Sequence, residues 1–204
     1  LNRFMADSYH TIKKRGESLL KEKGSKFFGY TFKVRSEDAV IACLDELKKK
    51  HHSARHFCYA YRIGPGGERY RSNDDGEPSH SAGDPILRQI QGKELTYSLV
   101  VVVRYFGGTK LGVGGLIQAY GEAALLAIQD SGIKEVERTQ WFKVDFAYAQ
   151  MSEVMRLLKK YELEMEEHDF NITCSLQAEA PFRVAVEFME ELNAIPFIKV
   201  TLDS

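Results

Sequence analysis

Between Tyr97 and Glu122 the chain passes from an apolar, β-branched stretch through a glycine-dense loop into a helix-forming segment. The stretch Leu99–Val103 is continuous and short, so it reads as a strand buried on both faces. Arg104, Tyr105 and Phe106 follow, and then Gly107, Gly108, Gly112, Gly114 and Gly115 surround one cation, Lys110. A helix is expected from about Leu116 to Asp130, with Gly132 just past its end. A strand that delivers a glycine loop to a helix start gathers backbone N–H groups and a positive dipole end, which suits an anion. The same glycines also fit a tight turn, where they supply positive φ and close packing. The spacing matches neither familiar phosphate motif. Lys110 is followed by Leu111 rather than Ser or Thr, and Gly112-Val113-Gly114-Gly115 lacks the third glycine of a dinucleotide fingerprint.

The flanking sequence supplies elements for that strand to pair with. Tyr9–Lys23 is polar and reads as a strand or an irregular lead-in. Phe27–Arg35 alternates and is rich in aromatic residues, so it is predicted as a strand. Ser36 stands at an N-cap, Glu37 and Asp38 fall in the first turn, and Lys48, Lys49 and Lys50 close a predicted helix. Phe57–Ile63 is a second strand, Gly64–Gly67 a turn, Glu68–Ser72 a returning strand and Asn73–Ser81 a loop. Asp84 is expected to cap a short helix with Pro85 at its first position. Residues 133–138 read as a connector. The strands Trp141–Tyr148, Glu162–Asp169, Asn171–Ala178 and Ile195–Leu202 and the helices Met151–Tyr161 and Pro181–Leu192 then follow in β-α-β-β-α-β order. That order is the ferredoxin-like split βαβ pattern. The expected class is α+β with two domains, residues 5–134 and 139–204.

A length of 204 residues accommodates one large or two small domains. Apolar runs such as Leu99–Val103 are short, far below the ~20 residues of a membrane-spanning helix. No apolar leader is seen, so no signal peptide is expected, and Met5 is expected to be the natural start. Cys43, Cys58 and Cys174 are odd in number and contain no Cys-x-x-Cys pair. They point to a reducing cytoplasm and away from a disulfide framework. Charge is unevenly spread. Residues 139–204 hold 6 Lys+Arg and 12 Asp+Glu, net −6, whereas the first 138 hold 22 and 17, net +5. An anionic partner would meet the first part, unless the two charges serve to attract each other.

The string Arg104-Tyr105-Phe106-Gly107-Gly108-x-Lys110-Leu111-Gly112-x-Gly114-Gly115-Leu116 resembles the signature of the YigZ/IMPACT family. So do Asp74-Asp75-Gly76-Glu77-Pro78-Ser79, Ala82-Gly83-x-Pro85-Ile86-Leu87, Lys23-Gly24-Ser25-Lys26-Phe27 and Ala54-Arg55-His56-x-Cys58-Tyr59-Ala60-Tyr61. The resemblance covers nearly the whole chain from Tyr9. One departure is His80, where family members are expected to carry glycine, in a Ser-Gly-Thr-Ala-Gly run. The resemblance implies an N-terminal domain with the left-handed β-α-β fold seen in GHMP kinases and in domain four of elongation factor G. It implies a C-terminal domain like domain five of that factor. Eukaryotic relatives are implicated in regulating translation through a protein partner, bound by segments outside the region shared here.

Four groups of residues could carry chemistry. Arg104 and Lys110 with the glycine loop could face a phosphate, although Arg104 could instead pair internally with Glu77. Asp74, Asp75 and Glu77, followed by Pro78, could hold a hard cation, or simply build a turn. His51, His52, His56, Cys58 and His80 include zinc-ligand types without the spacing of a structural site. A catalytic metal on His56, His80 and Asp84 is conceivable but poorly supported. No nucleophile elbow surrounds Ser79. Arg62, Arg69 and Arg71 alternate with Tyr59, Tyr61 and Tyr70, and Tyr105 and Phe106 lie nearby. Such interleaving suits RNA, although half of those rings should be core. The expectation is a cytoplasmic, non-enzymatic, translation-associated protein that binds RNA or the ribosome, without cofactor, metal or membrane. Its contacts would come from Arg104, Gly107, Gly108, Lys110, Gly112, Gly114, Gly115, His56, Arg62 and Arg71. The alternatives are a metal-assisted phosphate-transferring or hydrolysing enzyme and a protein-interaction module.

Overall fold

The computed structural model describes residues 7–170 and 173–203. The expected start at Met5 and the first two residues of the Asn171–Ala178 strand lie outside them. The described residues divide into two compact units, Tyr9–Val136 and a second built from Glu137 onward with Asp7 and Ser8. It is an α+β fold.

The polar lead-in forms two strands, β1 (Ser8–Ile12) and β2 (Gly16–Glu22). They precede β3 (Ser25–Lys33), α1 (Glu37–Lys50), β4 (His56–Ile63), β5 (Arg69–Asn73), α2 (Gly83–Gly92), β6 (Ser98–Tyr105), α3 (Gly112–Ser131) and β7 (Ile133–Glu137). Ser36 caps α1 as expected, its hydroxyl accepting from the Ala39 N–H. Five strands form an antiparallel sheet in the order β2-β3-β6-β4-β5. β6 is central. Helices α2 and α3 cover one face, with Ile86, Ile90, Leu116, Tyr120 and Ala123 against Phe27, Cys58, Val100 and Val102. On the other face Val40 and Leu47 of α1 join Tyr30, Phe32, Leu99 and Val101. Helices on both faces explain why Leu99–Val103 has no polar side.

Three local expectations are corrected. Residues 133–138 are not merely a connector, because β7 pairs with β1 in a two-stranded ribbon. Asp84 lies inside the first turn of α2 and does not cap it. Helix α3 begins at Gly112, four residues before the expected Leu116. Gly114 and Gly115 are thus helical, although glycine is a poor helix former, and Gly112 starts the helix at positive φ.

The second unit contains β8 (Thr139–Ala147), α4 (Met151–Lys160), β9 (Met165–Phe170), β10 (Thr173–Pro181), α5 (Phe182–Asn193) and β11 (Lys199–Asp203). The sheet order is β11-β8-β10-β9 and every pairing is antiparallel. This is the ferredoxin-like arrangement. Alternate residues Phe142, Val144 and Phe146 meet Val154, Leu157, Ala185 and Phe188 in one core. Among the described residues no helix is long and apolar enough to cross a membrane.

Candidate functional site

Strand register sorts the candidate residues. Phe27 of β3 and His56 of β4 lie opposite Arg104 of β6, and Lys26 lies opposite Tyr105. Arg62 pairs with Ser98, at the opposite end of β6. Six residues, roughly 20 Å of strand, separate it from Arg104. Arg71 lies beside it, opposite Tyr61 on the edge strand β5. The structure therefore brings His56, Arg104, Lys110 and the glycine loop to one end of the sheet and leaves Arg62 and Arg71 at the other. Arg62 also has an internal task, donating to the carbonyl oxygens of Leu95 and Gly66 at 3.2 and 2.8 Å.

At the first end, β2 and β3 turn through Lys23 and Gly24, both at positive φ, as a two-residue hairpin requires. Gly107 packs on this turn so closely that a Cβ would collide with the Gly24 backbone. Ser25, fully buried, accepts the Gly107 N–H at 3.1 Å. The Lys23–Phe27 and Arg104–Leu116 motifs are thus two halves of one corner.

Beyond that corner the loop is open. Phe106 to Lys110 are exposed, and Lys110 makes no hydrogen bond or ion pair. Gly112 opens α3 at φ +72°, and no side chain caps the helix. Nor does any acidic residue occupy its first turn. Gly114 has helical backbone and open space where a Cβ would stand, so neither conformation nor packing calls for glycine there. An uncapped helix start with a free lysine beside it is an electropositive surface.

The acidic loop next to it is closed. Asp74 accepts from three backbone N–H groups, those of His80, Ala82 and Gly83, at 2.8 to 3.0 Å. It thereby does for α2 what Asp84 was expected to do. Asp75 accepts the Phe57 N–H at 2.7 Å, and its carbonyl receives Nδ1 of His56 at 2.9 Å. Glu77 is buried with Arg104, at 5% and 6% side-chain exposure, and takes Nη1 at 2.6 Å. The Tyr120 hydroxyl donates to the same Glu77 oxygen at 2.8 Å. Pro78 supplies its carbonyl to the Ser81 N–H and hydroxyl. The internal pairing weighed for Arg104 is thus present, although its Nε remains without a partner.

Burial pushes the Tyr120 hydroxyl and the Cys58 thiol well above their ordinary values, so both stay protonated. Cys58 donates to the Asp74 carbonyl and is structural. His80 adopts φ +63°, which accounts for glycine being the expected residue there. Its Nδ1 meets Asp84 at 2.7 Å, and Ser72 donates to the other oxygen of that carboxylate. These hydrogen bonds, Ser72 foremost, lower the Asp84 pKa. Among the described residues no three His, Cys, Asp or Glu side chains converge as a metal-binding group.

Ser25, Tyr120 and Arg55 are the residues that sequence reasoning did not single out here. Ser25 and Tyr120 are ordinary residue types whose partners lie 79 and 43 positions away. Ser25 and Arg55 both stand inside family motifs, which assign neither of them a role.

Residues 23–128 match the Impact N-terminal domain, a span that contains both loops, the corner and most of α3. The chain is 34% identical to the IMPACT family member YvyE of Bacillus subtilis, over 80% of this chain and 75% of that protein. An IMPACT family member of Haemophilus influenzae is 36% identical over 84% of each chain. A crystal structure described as a hypothetical protein superposes with a TM-score of 0.72 at 25% identity, covering 98% of both chains. With its N-terminal motifs assembled at one end of the sheet and most of its length shared with these relatives, the chain belongs to the IMPACT family.

Proposed function

We propose that this protein is a non-enzymatic, translation-associated regulator that binds RNA or the ribosome through its N-terminal unit. The observation that carries the reading is the unpaired Lys110 beside the uncapped first turn of α3. Phosphate oxygens would satisfy N–H groups that the fold leaves open and would meet the lysine as a point charge. The exposed Phe106 at the same end adds an apolar ring on which a base can stack. The net charge of +5 over the first 138 residues favours the approach of a polyanion. Arg62 and Arg71 fall outside this surface. The metal-assisted alternative needs oxygens from Asp74 and Asp75, and three of those four already accept backbone N–H groups. The test is binding of the purified chain to ribosomes and to short RNAs over a range of salt. Affinity that falls steeply as salt rises is expected. No binding at low salt overturns the proposal and directs attention to a protein partner.

A further inference from the structure

A groove of about 320 Å³ opens between the start of β4 and the end of β6. Ser53, Arg55, His56, Arg104, Tyr105 and Phe106 line it, and no carboxylate does. We propose that this groove seats one nucleotide, its base on the Phe106 ring and its phosphate between Arg55 and His56. The inference rests on the RNA-binding reading and narrows it to a subsite.

Four features point to that occupant. Phe106 is 57% exposed, yet the Arg104 guanidinium lies 5.5 Å from its ring centroid, so the ring is backed from within the fold and open outward. Arg55 is exposed and makes no hydrogen bond or ion pair, so its guanidinium is available for a bidentate phosphate contact. His56 donates Nδ1–H to the Asp75 carbonyl, which fixes the ring; Nε2 then meets a phosphate by accepting its O–H or, in the imidazolium form, by donating to it. Arg104 is more than nine-tenths buried, and its Nε is unpartnered even after Glu77 and Ser25 are counted. That Nε is itself shielded from solvent, so Arg104 serves the groove as the cation behind the Phe106 ring.

The walls are also fixed in place. The Tyr105 hydroxyl lies 3.0 Å from Nδ1 of the buried His51, whose Nε2 meets Tyr30 at 2.7 Å. A volume of this size falls at the lower end of small-ligand sites and suits one nucleotide. Stacking on Phe106 is tolerant of base identity, so adenine and uracil should both be accepted.

Amide chemical shifts of the full chain test this, titrated with 5′-AMP, 5′-UMP and ribose 5-phosphate. Both nucleotides should perturb residues 53–56 and 104–107, and ribose 5-phosphate should bind at least about tenfold more weakly, because it lacks the stacking base. Phe106→Ala should weaken 5′-AMP by a similar factor, Phe106→Trp should restore it, and Arg55→Ala should weaken all three ligands. Arg69→Ala, a charge-matched change at the far end of the sheet, should leave them unchanged. A groove that 5′-AMP does not perturb, or a Phe106→Ala chain that binds 5′-AMP undiminished, overturns the subsite. A short single-stranded RNA run alongside separates the two readings. RNA binding with no response in the groove overturns the subsite and leaves the RNA-binding surface standing. 5′-AMP seated in the groove without RNA binding upholds the subsite as one for free nucleotide and overturns the RNA reading.

Discussion

Two neighbouring loops of the N-terminal unit, Asp74–Gly83 and Phe106–Leu111, hold the densest motifs in the chain and use their polar groups in opposite ways. In the first, Asp74, Asp75 and Glu77 are spent on backbone N–H groups and on a buried arginine. In the second, Lys110 is exposed and unpaired, and the helix that follows has no cap. The contrast teaches that motif density marks two different demands. A loop whose polar atoms are satisfied inside the fold is scaffold, whereas one whose donors are left to solvent is open to the partner that we propose. Arg104 joins them, ion-paired to the closed loop and bordering the open one.

The largest effect is expected from Glu77→Gln, which removes the counter-charge of a buried arginine. It should cost about 3–5 kcal/mol of folding stability, read from urea denaturation, because Arg104 is left charged and unpaired. A loss under 1 kcal/mol would mean that the pair is not structurally important. Asp74→Ala should follow with a loss of about 2–3 kcal/mol, since three N–H groups at the start of α2 lose a charged acceptor. In both cases nucleic-acid binding measured on the folded protein should survive better than stability does.

Smaller changes sharpen the contrast. His80→Gly should stabilise the closed loop by up to about 1 kcal/mol, by relieving a side chain at positive φ. The His80–Asp84 hydrogen bond lost with it is exposed and worth little. A fall in melting temperature would show that the His80–Asp84 contact outweighs the backbone. Gly114→Ala should also stabilise, by roughly 0.5–1 kcal/mol, because the site is helical and open. In the open loop, however, the gain should be accompanied by weaker RNA binding, since the methyl group would stand at the helix start. Stabilisation without loss of binding would place the contact elsewhere.

Much of this architecture is legible in the sequence. Short-range signals worked where the partners were near in sequence: Ser36 with Ala39, the apolar run of β6, and the β-α-β-β-α-β order of the second unit. The start of α3 is hidden because glycine weakens a helix, so Gly112–Gly115 reads as loop although the chain turns into the helix at Gly112 and is helical at Gly114 and Gly115. The cap of α2 was misplaced because the acceptor is Asp74, eight residues before Ala82, rather than the nearer Asp84. The pairing of Arg104 with Glu77 spans 27 positions and could only be weighed as one option. The separation of Arg62 and Arg71 from Lys110 depends on register between strands, which composition does not encode.

The most direct test of the contrast is RNA affinity as a function of salt for the wild-type chain and Lys110→Ala, with thermal stability measured on the same samples. Lys110→Ala should leave stability within about 0.5 kcal/mol and reduce the slope of log affinity against log salt by about one. An unchanged slope would contradict the assignment of the open loop as the binding surface, as would a loss of stability like that expected for Asp74→Ala.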